Sequence, residues 1–155
     1  IHDPVCRWRC ADLVLDVMPL DERVLGFSNR WYRSALKSPL ELQLASGATL
    51  AHIDGPHFLA TKLAAFRSRG AGDHLTSADL EDVVVVVDGR VSLARELGAS
   101  DARLRAFVGG EVGALLEERY FLEALPGYFV EGKATGARTR VVAERLRELA
   151  RLSAG

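Results

Sequence analysis

DGPHFLATKLAAF, residues 54–66, is the stretch at which the chain changes from strand-like to helical sequence. Pro56 suits the first turn of a helix, because the N–H that proline lacks would be unpaired there anyway. Apolar side chains and Lys62 then follow at helical spacing, until two glycines end the element. The sequence therefore predicts an α+β fold, with a mixed-sheet region over residues 1–55 and a helical region over residues 56–155 packed on it.

The sheet region consists of two predicted β-hairpins. In the first, residues 5–10 and 13–18 favour strands and are joined by a tight turn. In the second, residues 40–44 alternate between apolar and polar side chains, and residues 49–53 return after a turn. The strand over residues 13–18 is apolar on both faces apart from Asp16, which predicts a buried, interior strand.

The helical region contains one ambiguous segment, the run of valines over residues 83–87. Residue propensity alone favours a strand there. The preceding residues favour a helix, because Thr76 or Ser77 is a good cap and Asp79 and Glu81 would lie in the first turn, where the helix dipole favours anions. We therefore predict a helix. Other helices are predicted over residues 91–97, from Ser100 onward with a bend at Gly109-Gly110, over 121–125 and over 138–152, with a loop over 128–137.

The composition limits the classes of protein to which the chain can belong. Its 155 residues suit one domain and carry 20 Lys plus Arg against 21 Asp plus Glu, a formal net charge of −1. A charge near zero excludes a globally basic nucleic-acid coat and an acidic disordered tail, so only a local basic patch could bind RNA or DNA. Two cysteines are too few for a disulfide framework, and no apolar run is long enough to span a membrane. We expect a cytoplasmic protein with no membrane part.

Asp16 is the first candidate functional residue. An ionised carboxylate in an otherwise apolar strand is costly unless it is paired, hydrogen-bonded or bound to a metal. One interpretation is a metal ligand or general base at the edge of a catalytic cleft. The other is a structural partner of Arg7 or Arg9 across the hairpin, and from the residue alone we favour this second interpretation.

Lys62, Asp79 and Asp82 are the other candidates. Lys62 shares a helical face with Phe58 and Phe66, so it either extends past an apolar stripe into solvent or points into a cleft and holds a phosphate. Asp79 and Asp82 lie three residues apart, so their carboxylates are neighbours on one helix face. These carboxylates either orient Lys62 or an arginine, or face solvent at the start of their helix.

Six segments form a pattern through their order and spacing. In chain order they are CRWR (6–9), VLDVMP (14–19), GFSNRWY (26–32), FLATKLAAF (58–66), Arg69 with DLEDV (79–83), and ALPG (124–127). Together they resemble the AbiEii-type nucleotidyltransferases of the DNA polymerase β superfamily. The third and the last segments resemble a bacterial subgroup of that family.

The resemblance implies an activity and a set of roles. Such enzymes move a nucleotidyl group from a nucleoside triphosphate (NTP) to an acceptor hydroxyl, with two Mg²⁺ ions held by three carboxylates. Asp16 would be the third carboxylate, catalytic and metal-binding. Lys62 would meet the triphosphate, and Asp79 and Asp82 would brace that lysine or line the nucleotide pocket. The acceptor would be RNA, such as tRNA, or protein. Some family members are toxins, so an antitoxin is an expected partner.

The sequence departs from the family before Asp16. The family has a Gly-Ser or Gly-Gly loop and an Asp-x-Asp pair there, and neither Asp3 nor Asp12 supplies that pattern. Two interpretations follow: an N-terminally incomplete copy of a longer enzyme, which the missing initiator Met favours, or a non-catalytic nucleotide-binding or protein-interaction module of the same fold.

Overall fold

The computed structural model describes residues 6–70, 72–129 and 135–154. Within these ranges the chain forms two small antiparallel sheets, with two short helices between them, and then a set of longer α-helices, which confirms the predicted α+β class. Both predicted hairpins are present. In the described part of the chain they form two separate two-stranded sheets rather than neighbouring parts of one mixed sheet.

The first hairpin pairs β1 (Arg7–Cys10) with β2 (Leu13–Asp16), and Arg7 lies opposite Asp16. Every residue of β2 is exposed, and Trp8 on β1 is 66% exposed. The prediction that β2 is a buried interior strand is therefore wrong. Apolar sequence predicts burial only where a second layer covers the strand, and the described residues place no such layer over this hairpin.

The second hairpin pairs β3 (Leu40–Gln43) with β4 (Thr49–His52), also antiparallel. Two one-turn helices, α1 (Glu22–Leu25) and α2 (Tyr32–Ala35), lie between the hairpins along the chain. The buried residue Trp31 directly precedes α2.

Helix α3 (Gly55–Ala65) begins where the sequence predicts. The side chain of Asp54 accepts a hydrogen bond from the backbone N–H of His57 at 2.7 Å, and Pro56 occupies the first turn. At its other end α3 continues into a wider π-helical turn over Phe66–Gly70. Such a turn holds more residues than an α-helical turn and changes the direction of the side chains that follow.

Helix α4 (Ala78–Gly89) contains the valine run, which confirms the helix predicted from the capping residues. The hydroxyl of Ser77 accepts a hydrogen bond from the backbone N–H of Leu80 at 3.4 Å. Local capping and the packing of the helix outweigh the strand propensity of valine, because several of these side chains enter the core. The buried ones are Val83, Val84 and Val87.

The remaining helices are α5 (Leu93–Gly98), α6 (Ala102–Glu117), α7 (Arg119–Ala124) and α8 (Thr135–Arg151). Helix α6 is continuous through Gly109 and Gly110, the position at which the sequence predicts a bend. Of the loop predicted over 128–137, residues 130–134 lie outside the described residues, and α8 already begins at Thr135.

The core lies in the helical region. Helix α3 packs against α4, α5 and α6, and α8 packs across α4 and α6. Fully buried apolar side chains from all of these helices meet there, among them Leu59, Leu63, Leu80, Val84, Leu97, Leu104, Leu146 and Leu149. Within the described ranges, no helix has the length and the apolar character needed to cross a membrane.

Candidate functional site

Lys62 projects from α3 toward α4 and forms ion pairs with two carboxylates there. Its Nζ lies 2.5 Å from Oδ2 of Asp82 and 3.6 Å from Oδ1 of Asp79. The two aspartates are three residues apart, so their side chains leave α4 on one side. The structure thus brings together three of the four candidate residues that the sequence suggests.

Asp79 is the buried member of this group, with a side chain only 9% exposed. It lies in the first turn of α4, where the helix dipole stabilises a negative charge. Arg69 also binds it through two parallel hydrogen bonds, from Nε to Oδ2 and from Nη2 to Oδ1, each 3.1 Å long. These hydrogen bonds raise the pKa of Arg69. One buried carboxylate therefore holds two cations, Lys62 and Arg69, at the protein surface.

The loop that leads into α4 is fixed at two points. The carboxylate of Asp73 accepts hydrogen bonds from the hydroxyl and the backbone N–H of Thr76, at 2.7 and 2.9 Å, and these lower the pKa of Asp73. The hydroxyl of Tyr128 donates a hydrogen bond to the carbonyl of His74 at 2.6 Å. Burial raises the pKa of Tyr128 to about 12. The start of α4, and with it Asp79, is tied to the rest of the helical region.

A mostly apolar cavity of about 350 Å³ lies between the first part of α3 and the last part of α4. Phe58 is one of its lining residues, and the Nζ of Lys62 lies 5.7 Å from the centroid of the Phe58 ring, but Lys62 itself does not line the cavity. That volume falls at the lower end of the range for small-ligand pockets. Its other lining residues are Ile53, Asp54, Gly55, Val85, Val86, Gly89 and Arg90.

Asp16 is not part of this group. Its carboxylate forms two hydrogen bonds with Arg7 across the first hairpin, from Nε and from Nη2, each 2.8 Å long. These bonds lower the pKa of Asp16. The arrangement is the structural pairing that the sequence left open as one interpretation of this residue, and within the described residues the ion pairs of Lys62 do not include Asp16.

A Mg²⁺ site would need carboxylates that converge on one point. Both oxygens of Asp16 are bound to Arg7, and the described residues contain no group of three His, Cys, Asp or Glu side chains able to hold a metal ion. Taken by themselves, the described residues therefore do not fit the Mg²⁺ ions that the family resemblance implies.

Arg69 and Phe58 complete the site, although neither was among the candidates for it. Phe58 lies one helical turn before Lys62, so helical periodicity alone places the two on one face. Arg69 has a weaker signal, because it lies in the π-helical turn, where the regular α-helical spacing no longer predicts the direction of a side chain.

In comparisons with known proteins, no protein-family model, no curated protein and no solved structure matches the chain.

Proposed function

We propose that the chain belongs to a nucleotidyltransferase and that Lys62, assisted by Arg69, binds the phosphates of a nucleoside triphosphate. The observation that carries the proposal is the placement of Lys62 between Asp79 and Asp82, next to Phe58, which lines a mostly apolar cavity. The buried carboxylate of Asp79 holds the side chains of Lys62 and Arg69 in place. The cavity that Phe58 lines has room for the nucleoside part of the ligand.

The charges of the site allow Lys62 to exchange a carboxylate partner for a phosphate group. Lys62, Arg69, Asp79 and Asp82 together are neutral, so a triphosphate must displace one carboxylate to gain a cation. The carboxylate that the triphosphate displaces from Lys62 is that of Asp82. Its side chain is 44% exposed, and surface ion pairs contribute only about 0–1 kcal/mol to stability. A triphosphate carries more negative charge than one carboxylate and can accept several hydrogen bonds from Lys62 and Arg69. Asp79, being buried, remains as the brace.

The remaining parts of this proposal come from the resemblance. They are Asp16 as a catalytic and metal-binding carboxylate, Mg²⁺ as the cofactor, RNA such as tRNA or a protein as the acceptor, and an antitoxin as a protein partner. The described residues do not form a Mg²⁺ site, so Mg²⁺ enters the proposal only through the resemblance.

We expect Lys62→Gln to weaken NTP binding roughly tenfold or more, since hydrogen bonds to charged groups contribute about 1.5–3 kcal/mol. Isothermal titration calorimetry with each of the four common NTPs, with and without Mg²⁺, measures this change. Lys37→Gln is the matched control, because Lys37 is an exposed lysine outside the site. It should leave the dissociation constant unchanged.

A purely structural role of Lys62 predicts a different pattern. A lysine that only stabilises α4 would lower the melting temperature when it is replaced and would affect nucleosides and nucleoside triphosphates alike. The proposed role requires that the loss grow with the number of phosphates on the ligand. Equal losses for both ligands, or NTP binding that survives Lys62→Gln, would refute the proposed phosphate contact.

Transfer is tested separately from binding, with the full-length protein, labelled NTPs, Mg²⁺ and total RNA. We expect labelled RNA from the unmodified protein and none from the Asp16→Asn variant, with NTP binding unchanged. Asp12→Asn, in the exposed turn of the same hairpin, is the control and should remain active. Transfer that persists in Asp16→Asn would contradict the role of Asp16.

A second candidate function is a non-catalytic nucleotide-binding module. The observation that favours it is the pairing of both Asp16 oxygens with Arg7. NTP binding without any transfer by the unmodified protein would support this candidate over the enzyme.

A further inference from the structure

The loop before α2 holds one arginine in a fixed, outward position. The side-chain amide of Asn29 donates a hydrogen bond to the carbonyl of Thr61 on α3 at 2.8 Å, and its oxygen accepts one from the backbone N–H of Trp31 at 3.0 Å. Trp31 itself is 3% exposed. Arg30 lies between these two anchored residues and is exposed, so the loop presents its side chain to solvent.

The guanidinium of Arg30 lies against two aromatic rings. It is 4.2 Å from the centroid of Phe107 on α6 and 5.3 Å from that of Trp31, and the two rings are 5.0 Å apart. Arg103, also on α6 and exposed, lies 5.6 Å from the Trp31 ring. We call these four residues, Arg30, Trp31, Arg103 and Phe107, the arginine–aromatic patch.

The two arginines of the patch have positive charges that no carboxylate neutralises. Throughout the described ranges, neither Arg30 nor Arg103 lies within ion-pair distance of an aspartate or glutamate. Arg67, next to the patch, differs from them because it is paired with Glu111. Both guanidiniums lie within 6 Å of the Trp31 ring, so an anionic ligand at the patch would be attracted by two positive charges.

A cavity beside the patch provides room for such a ligand. Its volume is about 350 Å³, and its charged and polar lining residues are Arg30, Arg67, Ser68 and Glu111. Phe107 and Ala64 supply the apolar part of the wall. The cavity therefore combines guanidinium donors with an aromatic surface.

We propose that the arginine–aromatic patch binds a single-stranded nucleic acid. Guanidinium groups bind phosphates through paired hydrogen bonds, and the exposed guanidinium plane of Arg30, stacked on the half-buried ring of Phe107, supports a base. An acidic polypeptide would use the charge of the patch but not its flat, stacked surface. Because the net charge of the chain is −1, binding depends on this local surface rather than on the whole protein. It does not depend on nucleotide binding at Lys62.

Fluorescence anisotropy with a labelled single-stranded oligonucleotide, as RNA and as DNA, tests the proposal on the 155-residue chain. We expect Arg30→Ala to weaken binding about tenfold and to reduce the slope of log K against log salt concentration by about 0.7, the effect of one lost phosphate contact. Arg30→Lys, which keeps the charge but loses the planar group, should restore the salt slope and only part of the affinity. Comparison of the RNA and DNA arms shows which sugar is preferred.

Arg147→Ala is the matched control, since Arg147 is an exposed arginine on α8. It should change neither affinity nor slope. Equal losses for Arg147→Ala and Arg30→Ala would mean binding by overall charge and would overturn the proposal. Binding of a duplex or of polyglutamate as tight as that of the single strand would also overturn it. Lys62→Gln should leave oligonucleotide binding intact, so this test and the test of NTP binding can fail independently.

Discussion

Phe121→Ala lowers the free energy of unfolding by roughly 3–5 kcal/mol, the largest effect that we expect from a single substitution in this chain. Phe121 on α7 is fully buried in the core, and its ring lies edge-on to that of His74, with centroids 6.4 Å apart. Truncation to alanine removes this apolar surface from the core and leaves a cavity that the surrounding helices fill only in part. Urea denaturation followed by circular dichroism measures the loss.

The adjacent residue provides the control for this prediction. Tyr120 is 71% exposed on the same helix, so Tyr120→Ala should change stability by no more than about 0.5 kcal/mol. Similar losses for the two variants would contradict the packing of α7 on the core through Phe121. Because His74 lies in the loop before α4, Phe121→Ala should also disturb the start of that helix.

Gly109→Ala and Gly110→Ala, two neighbouring substitutions in α6, should change stability in opposite directions. A Cβ atom at Gly109 would lie 2.7 Å from the backbone nitrogen and 3.0 Å from the Cα of Ser153, in the segment that follows α8. The backbone there must shift, and we expect a loss of roughly 1–3 kcal/mol. A Cβ atom at Gly110 meets no atom within 4 Å. Alanine there should stabilise the helix by roughly 0.5–1 kcal/mol.

Thermal and urea denaturation of the two variants decide this prediction. The change is one methyl group in each case, on adjacent residues of one helix, so differences in the unfolded chain largely cancel. Stabilisation by both variants would show that the segment after α8 does not pack on Gly109. Destabilisation by both would show that α6 tolerates no side chain at either position.

The helices could be predicted from the sequence because their signals are local. Ser77 and the acidic residues after it determine the start of α4, even though the valines that follow favour strands. Asp54 and Pro56 determine the start of α3 in the same way. Such capping residues act within one turn, so no knowledge of the rest of the fold is needed.

The candidate site could be predicted in part. The spacing of Asp79 and Asp82 predicts neighbouring carboxylates, and periodicity places Lys62 near Phe58. That α3 lies against α4, so that Lys62 meets these carboxylates, is a property of the packed helices and not of either helix alone. The sequence predicts that these carboxylates orient Lys62 or an arginine, but helical spacing does not identify that arginine as Arg69, because Arg69 lies in a π-helical turn.

The hairpins show the opposite case. The apolar sequence of β2 predicts a strand correctly but its burial wrongly, because burial depends on a covering layer that the strand itself does not encode. The wrong prediction of burial also makes the carboxylate of Asp16 look unusual. In an exposed strand a carboxylate paired with Arg7 needs no special explanation, whereas in a buried strand it would.

The first hairpin lies outside the buried helical core, so its apolar side chains face solvent instead of stabilising the fold. Side chains alternate along a strand, and the register of β1 and β2 puts Trp8 and Leu15 as one pair and Cys10 and Leu13 as another on a single face, all exposed. Apolar faces and free strand edges of this kind are the surfaces through which chains self-associate at high concentration. The helical core keeps the chain folded, whereas this exposed apolar face is a surface through which two copies of the chain can associate.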